Sequence, residues 1–327
     1  MPVLLRRRQR GPLTKGLTTH GTWPCLFSYV GGSERTKDGV GIVVSGAEKV
    51  IQQANPWDAL GHQAVEDFIL LFDQRAFVAA AQVAAAAKTQ VSRENRKREF
   101  SVLEQLAKAF DTWDRFDHQA SRAEFNRVEK AANDLRAVLG STKTDRVLDG
   151  VARFTKHLGQ LCDASPPSRH HVMDLLTNAQ RRKEESRIDD AVARLYRAIE
   201  AAAQVALKEL HEIGSTEKVP LNRVPASLQS EWESKAKDGV VALGLQDAYA
   251  LLASLNDPWG EKFREAGFND TKSPLTARNR SILAHGFDRV SERIFDKLWT
   301  TALALADIKE ADLPSFLALD NKRSSDK

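Results

Sequence analysis

The stretch Thr276 to Phe287 reads TARNRSILAHGF and gathers two arginines, an asparagine and a histidine among small and apolar residues. Ser273-Pro274 just ahead of it is a helix-start signal. On a helix from about Leu275 to Phe287, Arg278 and His285 lie seven positions apart and project on nearly the same face. Asn279 flanks Arg278, Ser281 or Ile282 falls between the arginine and the histidine, and Arg280 lies further round. Ile282, Leu283 and Phe287 are left to anchor the opposite side in a core. Ala284 and Gly286 keep the backbone near His285 uncluttered, so another helix or a substrate can approach.

A histidine side chain titrates near 6.5 when unperturbed, which suits acid–base work near neutrality. An arginine one or two turns away stays cationic and can stabilise an anionic phosphorane. The pair fits cleavage of RNA by its own 2′-hydroxyl. No metal is needed in that reaction, because the nucleophile is part of the substrate, and the products are a 2′,3′-cyclic phosphate and a 5′-hydroxyl. The competing reading is a solvated or hydrogen-bonded stripe, with His285 a satisfied half-buried residue and Arg278 the partner of a carboxylate. Spacing alone leaves both open.

The elements that must hold this stretch are helical. The run from NPWDAL (Asn55 to Leu60) onward has a helical period, with Leu60, Ala64, Phe68 and Leu71 as the expected core stripe of the first helix, and Pro56 in its first turn. Further helices are expected around FSVLEQLAKAFDTWDRF, EFNRVEKAANDLRAVL and VLDGVARFTKHLGQL. Pro166-Pro167 marks a boundary. Beyond it, Ile188, Val192, Leu195, Ile199 and Ala202 share one face of a long helix, for which Gly214 is the expected C-cap. If that helix packs against the Arg278 helix, Arg194 and Tyr196 are candidates to support the same cleft; Tyr196 serves equally well as core. Ahead of the helices, CLFSYV and GIVVSG read as two short strands around a turn-rich connector, the only convincing strands in the chain.

Composition agrees with a mainly α protein. Of 327 residues, 42% are hydrophobic, and glycine and proline are sparse. The net charge of +4, from 48 basic and 44 acidic residues, permits a polyanionic partner without demanding one. No apolar run reaches the roughly 20 residues that span a bilayer, so no membrane partner is expected. Cys25 and Cys162 lack metal-ligand spacing and read as reduced, which places the chain in the cytoplasm. The histidine pair His170–His171 has no carboxylate at zinc-ligand spacing, and no metal or other bound cofactor is expected. RENRKREF (Arg93 to Phe100) is a basic run whose default is a solvated face, with RNA-backbone contact as the alternative. Asp189 and Asp190 read as N-terminal helix acids rather than a metal pair.

RNRSILAH resembles the R-x(4–6)-H motif of HEPN ribonucleases. Arg278 fits with six intervening residues and Arg280 with four; the Arg-Asn dipeptide favours Arg278. Asp189 to Leu207 resembles the long first helix of the CRISPR-associated HEPN proteins. FSYVGGSERTKDGVGIVVSG followed by NPWDAL looks like the end of a CARF domain passing into its helical linker. The resemblance implies a CARF–HEPN ribonuclease of type III CRISPR systems, with an N-terminally incomplete CARF segment. The expected architecture is a partial CARF-like α/β segment with a basic arm (1–54), a helical linker region (55–165), a HEPN domain (166–316) and a disordered tail (317–327). It further implies a homodimer cutting single-stranded RNA, not DNA, with Arg278, Asn279 and His285 catalytic, and Arg280, Ser281, Arg194 and Tyr196 in support. Cyclic oligoadenylate is the implied allosteric activator, and the incomplete CARF segment weighs against its binding. The alternative is a non-catalytic helical module that binds RNA or protein and carries a vestigial sensor.

Overall fold

The computed structural model describes residues 28–32, 48–52, 56–268, 275, 279, 281 and 286–320, with side chains from residue 61 onward. Two strands, β1 (Ser28–Gly32) and β2 (Glu48–Gln52), pair antiparallel with Val30 opposite Val50. β1 overlaps the expected CLFSYV strand. β2 lies just past GIVVSG, which falls outside the described residues.

Six helices follow: α1 (Pro56–Asp73), α2 (Phe77–Gln90), α3 (Glu94–Asp114), α4 (His118–Lys130), α5 (Ala132–Leu139) and α6 (Ser141–Asp163). The second half of the chain carries α7 (Arg169–Glu184), α8 (Ile188–Leu210), α9 (Ala226–Trp232), α10 (Leu245–Ser254), α11 (Pro258–Glu265) and α12 (Glu292–Ala306). The chain divides into two compact units, residues 1–151 with 317–327 and residues 152–316. Helices do stop on either side of Pro166-Pro167, but the division of units falls earlier, inside α6.

In the first unit α3 packs against α2, α4 and α5, and α2 against α1. The buried stripe of α1 is Val65, Phe68 and Phe72; of the expected residues Phe68 is buried, Ala64 and Leu71 are half-buried, and the Leu60 side chain lies outside the described residues. Phe72 makes edge contacts with Phe77 and Phe110, at 5.2 and 5.1 Å between centroids, and Phe110 meets Phe125 at 5.1 Å. Residues 317–320, expected in a disordered tail, instead bind this unit. The Asp73 carboxylate accepts the backbone N–H groups of Leu319 and Asp320 at 2.7 and 2.9 Å. Arg75 donates to the Leu317 carbonyl and Arg146 to that of Leu319, and the Leu319 side chain is buried.

The second unit is built around α8, whose alanine-rich surface lets α7, α10 and α12 approach closely. Val192, Leu195, Ile199 and Ala202 are buried as expected, and Ile188 is partly so. Gly214 does not cap this helix: it ends at Leu210, and the left-handed residue after it is Glu212. α11 opens on Asp257, which accepts the Trp259 N–H at 2.9 Å, with Pro258 at the first helical position. Two further strands, β3 (Val219–Pro220) and β4 (Val240–Val241), escaped the sequence reading. Each is two residues long, too short for alternation to show. The signal was Asp238-Gly239: both have positive φ, and Lys237 and Val240 exchange backbone hydrogen bonds at 2.9 and 3.0 Å, a type I′ hairpin turn.

Candidate active site

α7 and α8 lie side by side, and polar side chains run along their seam. Asp174, Asn178 and Arg182 are spaced four apart on α7, a pattern that reads as a solvent face. All three are buried, Asn178 completely. Arg194 of α8 donates from Nε to Asn178 Oδ1, and from Nη1 to the Asp190 carbonyl at 3.0 Å and its carboxylate at 3.3 Å. Asp190 also pairs with Arg187. A charge inside a helical domain is tolerated only where such partners satisfy it. Arg181 lies over the Phe316 ring at 3.7 Å from its centroid, and Arg182 pairs with Glu185 at 2.8 Å. Sequence reasoning missed the α7 polar residues altogether; the only signal was an unusually polar helix beside a strongly apolar one.

The described residues around the motif meet the first turn of α8 at Val290. Leu275 and Asn279 are helical, Leu275 buried and Asn279 exposed. Ser281 is not helical. It is 2% exposed, forms an isolated parallel bridge with Asp288, and its carbonyl accepts the Gly286 N–H at 3.2 Å. The expected single helix from Leu275 to Phe287 is therefore interrupted at Ser281. Serine and glycine are poor helix residues, and a buried seryl backbone that pairs elsewhere ends the i to i−4 ladder. Phe287, expected in the core, is 93% exposed, and Asp288 and Arg289 are exposed beside it. Val290 turns back into the core at 3% exposure, and its backbone N–H donates to Asp189 Oδ1 at 3.4 Å. Asp189 thus reaches across to the motif segment as well as standing in the first turn of α8.

Arg278, Arg280 and His285 lie outside the described residues, as do Ile282, Leu283 and Ala284. Among the expected residues that are described, Ser281 belongs to the buried foot of the segment, and Asn279 stands on its surface. Arg194 is committed to the α7–α8 seam. Tyr196 packs partly buried against the core.

In RENRKREF, Arg96 pairs with Glu99 and lies 5.6 Å from the Phe100 ring, Lys97 pairs with Glu94 at 2.7 Å, and Arg98 with Asp134 at 3.3 Å. Arg96 and Lys97 are thus paired within the run, and Arg98 with the neighbouring α5. His171 shares a 2.7 Å hydrogen bond with Ser168, and the His170 ring stands 6.1 Å from that of His157. Among the described residues no three His, Cys, Asp or Glu side chains converge, and no helix is long and apolar enough to cross a membrane.

The family model for the Csm6 HEPN domain matches residues 164–309, a window that contains α7, α8, the motif segment and α12. The model for the Csm6 6H domain matches residues 55–148, which begins at α1 and ends within α6. No curated protein matches the chain. Two successive domains of one family, matched in order over most of the sequence and carried on helices as that family requires, place this chain among the Csm6-like, CRISPR-associated HEPN proteins.

Proposed function

We propose that the chain is a metal-independent endoribonuclease of type III CRISPR defence that cuts single-stranded RNA. The observation that carries this reading is the Csm6 HEPN match over 164–309, which contains RNRSILAH whole. The break at Ser281 removes the argument from a shared helix face, so the assignment of roles rests on the family and on chemistry. Arg278 stabilises the charge of the phosphorane, and Arg280 is the alternative cation. His285 moves a proton at the scissile phosphate. Asn279 positions the phosphate, and buried Ser281 holds the segment that bears them. The 2′-hydroxyl attacks the adjacent phosphorus, the bond to the 5′-oxygen breaks, and that oxygen leaves with a proton. A cyclic phosphate and a 5′-hydroxyl remain. One motif supplies half of a composite site, so two protomers face each other about a two-fold axis. In the type III setting cyclic oligoadenylate is the candidate activator, and the incomplete CARF-like segment weighs against its binding here.

The test is cleavage of single-stranded RNA by purified protein in EDTA, with the product ends identified. Cyclic phosphate ends are expected. His285→Ala should lower the rate by about 100-fold or more while the dimer persists in sedimentation. Cleavage that needs a divalent ion, or that survives this substitution, overturns the mechanism. A rate raised by cyclic oligoadenylate in the same assay keeps it as activator; an unchanged rate removes the sensor from the proposal.

A further inference from the structure

Ten positions from Ser281 to Val290 carry the second half of the motif, and both ends of the run are sunk in the protein. Ser281 is 2% exposed and Val290 is 3% exposed, while Phe287, Asp288 and Arg289 between them are exposed. The first end is held by backbone contacts within the run, the Ser281–Asp288 bridge and the Gly286 N–H to Ser281 carbonyl bond. The second end is held from outside it, by Asp189 Oδ1 on the Val290 N–H at 3.4 Å. Val290 stands five residues after His285.

We propose that Asp189 is a positioning residue for the motif, its carboxylate fixing the C-terminal foot of the segment that bears His285. This rests on the ribonuclease reading. The carboxylate is placed by its helix. Asp190, the next residue, is locked by Arg187 and Arg194, and Arg194 is locked in turn by buried Asn178 of α7. The first turn of α8 is thereby fixed against α7, and Asp189 projects from that fixed turn. Farther along the chain, Lys183 of α7 pairs with Asp296 of α12 at 2.6 Å and lies 4.7 Å from the Phe295 ring centroid. The chain is thus bonded to α8 at Val290 and, within the helix that follows, to α7 at Asp296. A histidine that must meet a phosphate within hydrogen-bond reach loses rate steeply with small displacements, about 100-fold for 1 Å.

An acid in the first turn of a helix also stabilises the helix dipole, so the test must separate the two roles. Asp189→Asn keeps an oxygen acceptor for the Val290 N–H and loses the charge; Asp189→Ala loses both. Amide hydrogen exchange at Val290 and steady-state cleavage of single-stranded RNA are measured for each, beside the wild type. Positioning predicts faster Val290 exchange in Asp189→Ala, a fall in kcat of about ten-fold or more with KM within about two-fold, and near-wild-type values of both in Asp189→Asn. A purely dipolar role predicts that the two variants lose alike, which overturns the proposal. So does unchanged Val290 exchange in Asp189→Ala, or faster exchange with kcat unchanged. If Asp189→Ala does not fold, Asp189→Asn decides: its kcat and Val290 protection must stay near those of the wild type. A wild-type chain that cuts no RNA defeats the ribonuclease reading alone, and the exchange measurement still decides whether Asp189 holds Val290.

Discussion

Glu104 on α3 takes two ammonium groups at once, Lys88 of α2 at 2.5 Å and Lys108 of its own helix at 2.6 Å. Burial alone would raise its pKa, but the hydrogen bonds and charges of Lys108 and Lys88 outweigh that and hold it below the usual 4.5. A carboxylate depressed in the folded state stabilises the fold above its unfolded pKa, and the contribution fades as pH falls through the folded value. Glu104→Gln should therefore cost about 1 kcal/mol at pH 7, the modest size reflecting solvent around both lysines. The penalty should shrink toward zero below the ordinary carboxylate range. Urea unfolding at pH 7 and pH 3 measures this, and an equal loss at both would assign the effect to packing instead. Tyr249 shows the opposite balance. Its hydroxyl is fully buried and donates to the Ile199 carbonyl at 2.9 Å, and burial, with Asp257 adding, pushes its pKa far up. It stays neutral, joins α10 to α8, and its ring stacks on Phe263 of α11 at 4.0 Å between centroids.

Helix ends and helix contacts explain what could be read from the sequence and what could not. The apolar periods of α1 and α8 predict their elements, and Pro56 predicts a start, because burial and helix-start preferences act through residue types that carry the signal themselves. Stops are less legible. Five helices end with a left-handed residue and the paired 6→1 and 5→2 backbone bonds of a Schellman turn, and these residues are Arg75, Phe116, Ser186, Asn256 and Asp307. Glycine is the usual signal, and it is missing at all five. The motif segment fails for a related reason: the helical period continues through Ser281, and the backbone pairing of Ser281 with Gly286 and Asp288 interrupts it. The buried Asp174–Asn178 spacing on α7 was invisible because a polar stripe looks the same whether water or Arg194 satisfies it. Close helix contact is likewise silent in the sequence until a glycine marks it. Gly260 of α11 stands so near α10 that an added Cβ would lie 2.2 Å from the Ala253 nitrogen and 2.4 Å from its Cα. Alanine would gain about 1 kcal/mol of helix propensity. Overpacking against backbone costs about 1–3 kcal/mol and should win. Gly260→Ala is expected to lower the denaturation midpoint of the second unit, and a raised midpoint would show that α11 can move aside.

The whole chain is not two beads in sequence. It passes into the second unit within α6 and returns after Phe316, so the first unit is made of two separated pieces of chain. The returning piece is recognised through its backbone: Asp73 takes two N–H groups, Arg75 and Arg146 take two carbonyls, and Leu319 fills a buried position. Arg75 is the left-handed residue of the α1–α2 turn, so the turn that ends α1 also aims the side chain that holds Leu317. Four backbone groups satisfied by charged side chains, with one leucine buried, amount to about 2–4 kcal/mol after the ordering of the segment is set against them. Deleting residues 317–327 should therefore lower the melting temperature of the first unit by roughly 5–10 °C. Asp73→Ala should reproduce much of that loss in the full chain, since it strips two bonds while leaving Leu319 in place. Hydrogen exchange separates this from a general weakening. The Leu319 and Asp320 amides should lose protection in Asp73→Ala, while the Val290 amide in the other unit keeps its own. Melting unchanged by the deletion would mean that the segment rests on the surface of α1 without contributing to its stability.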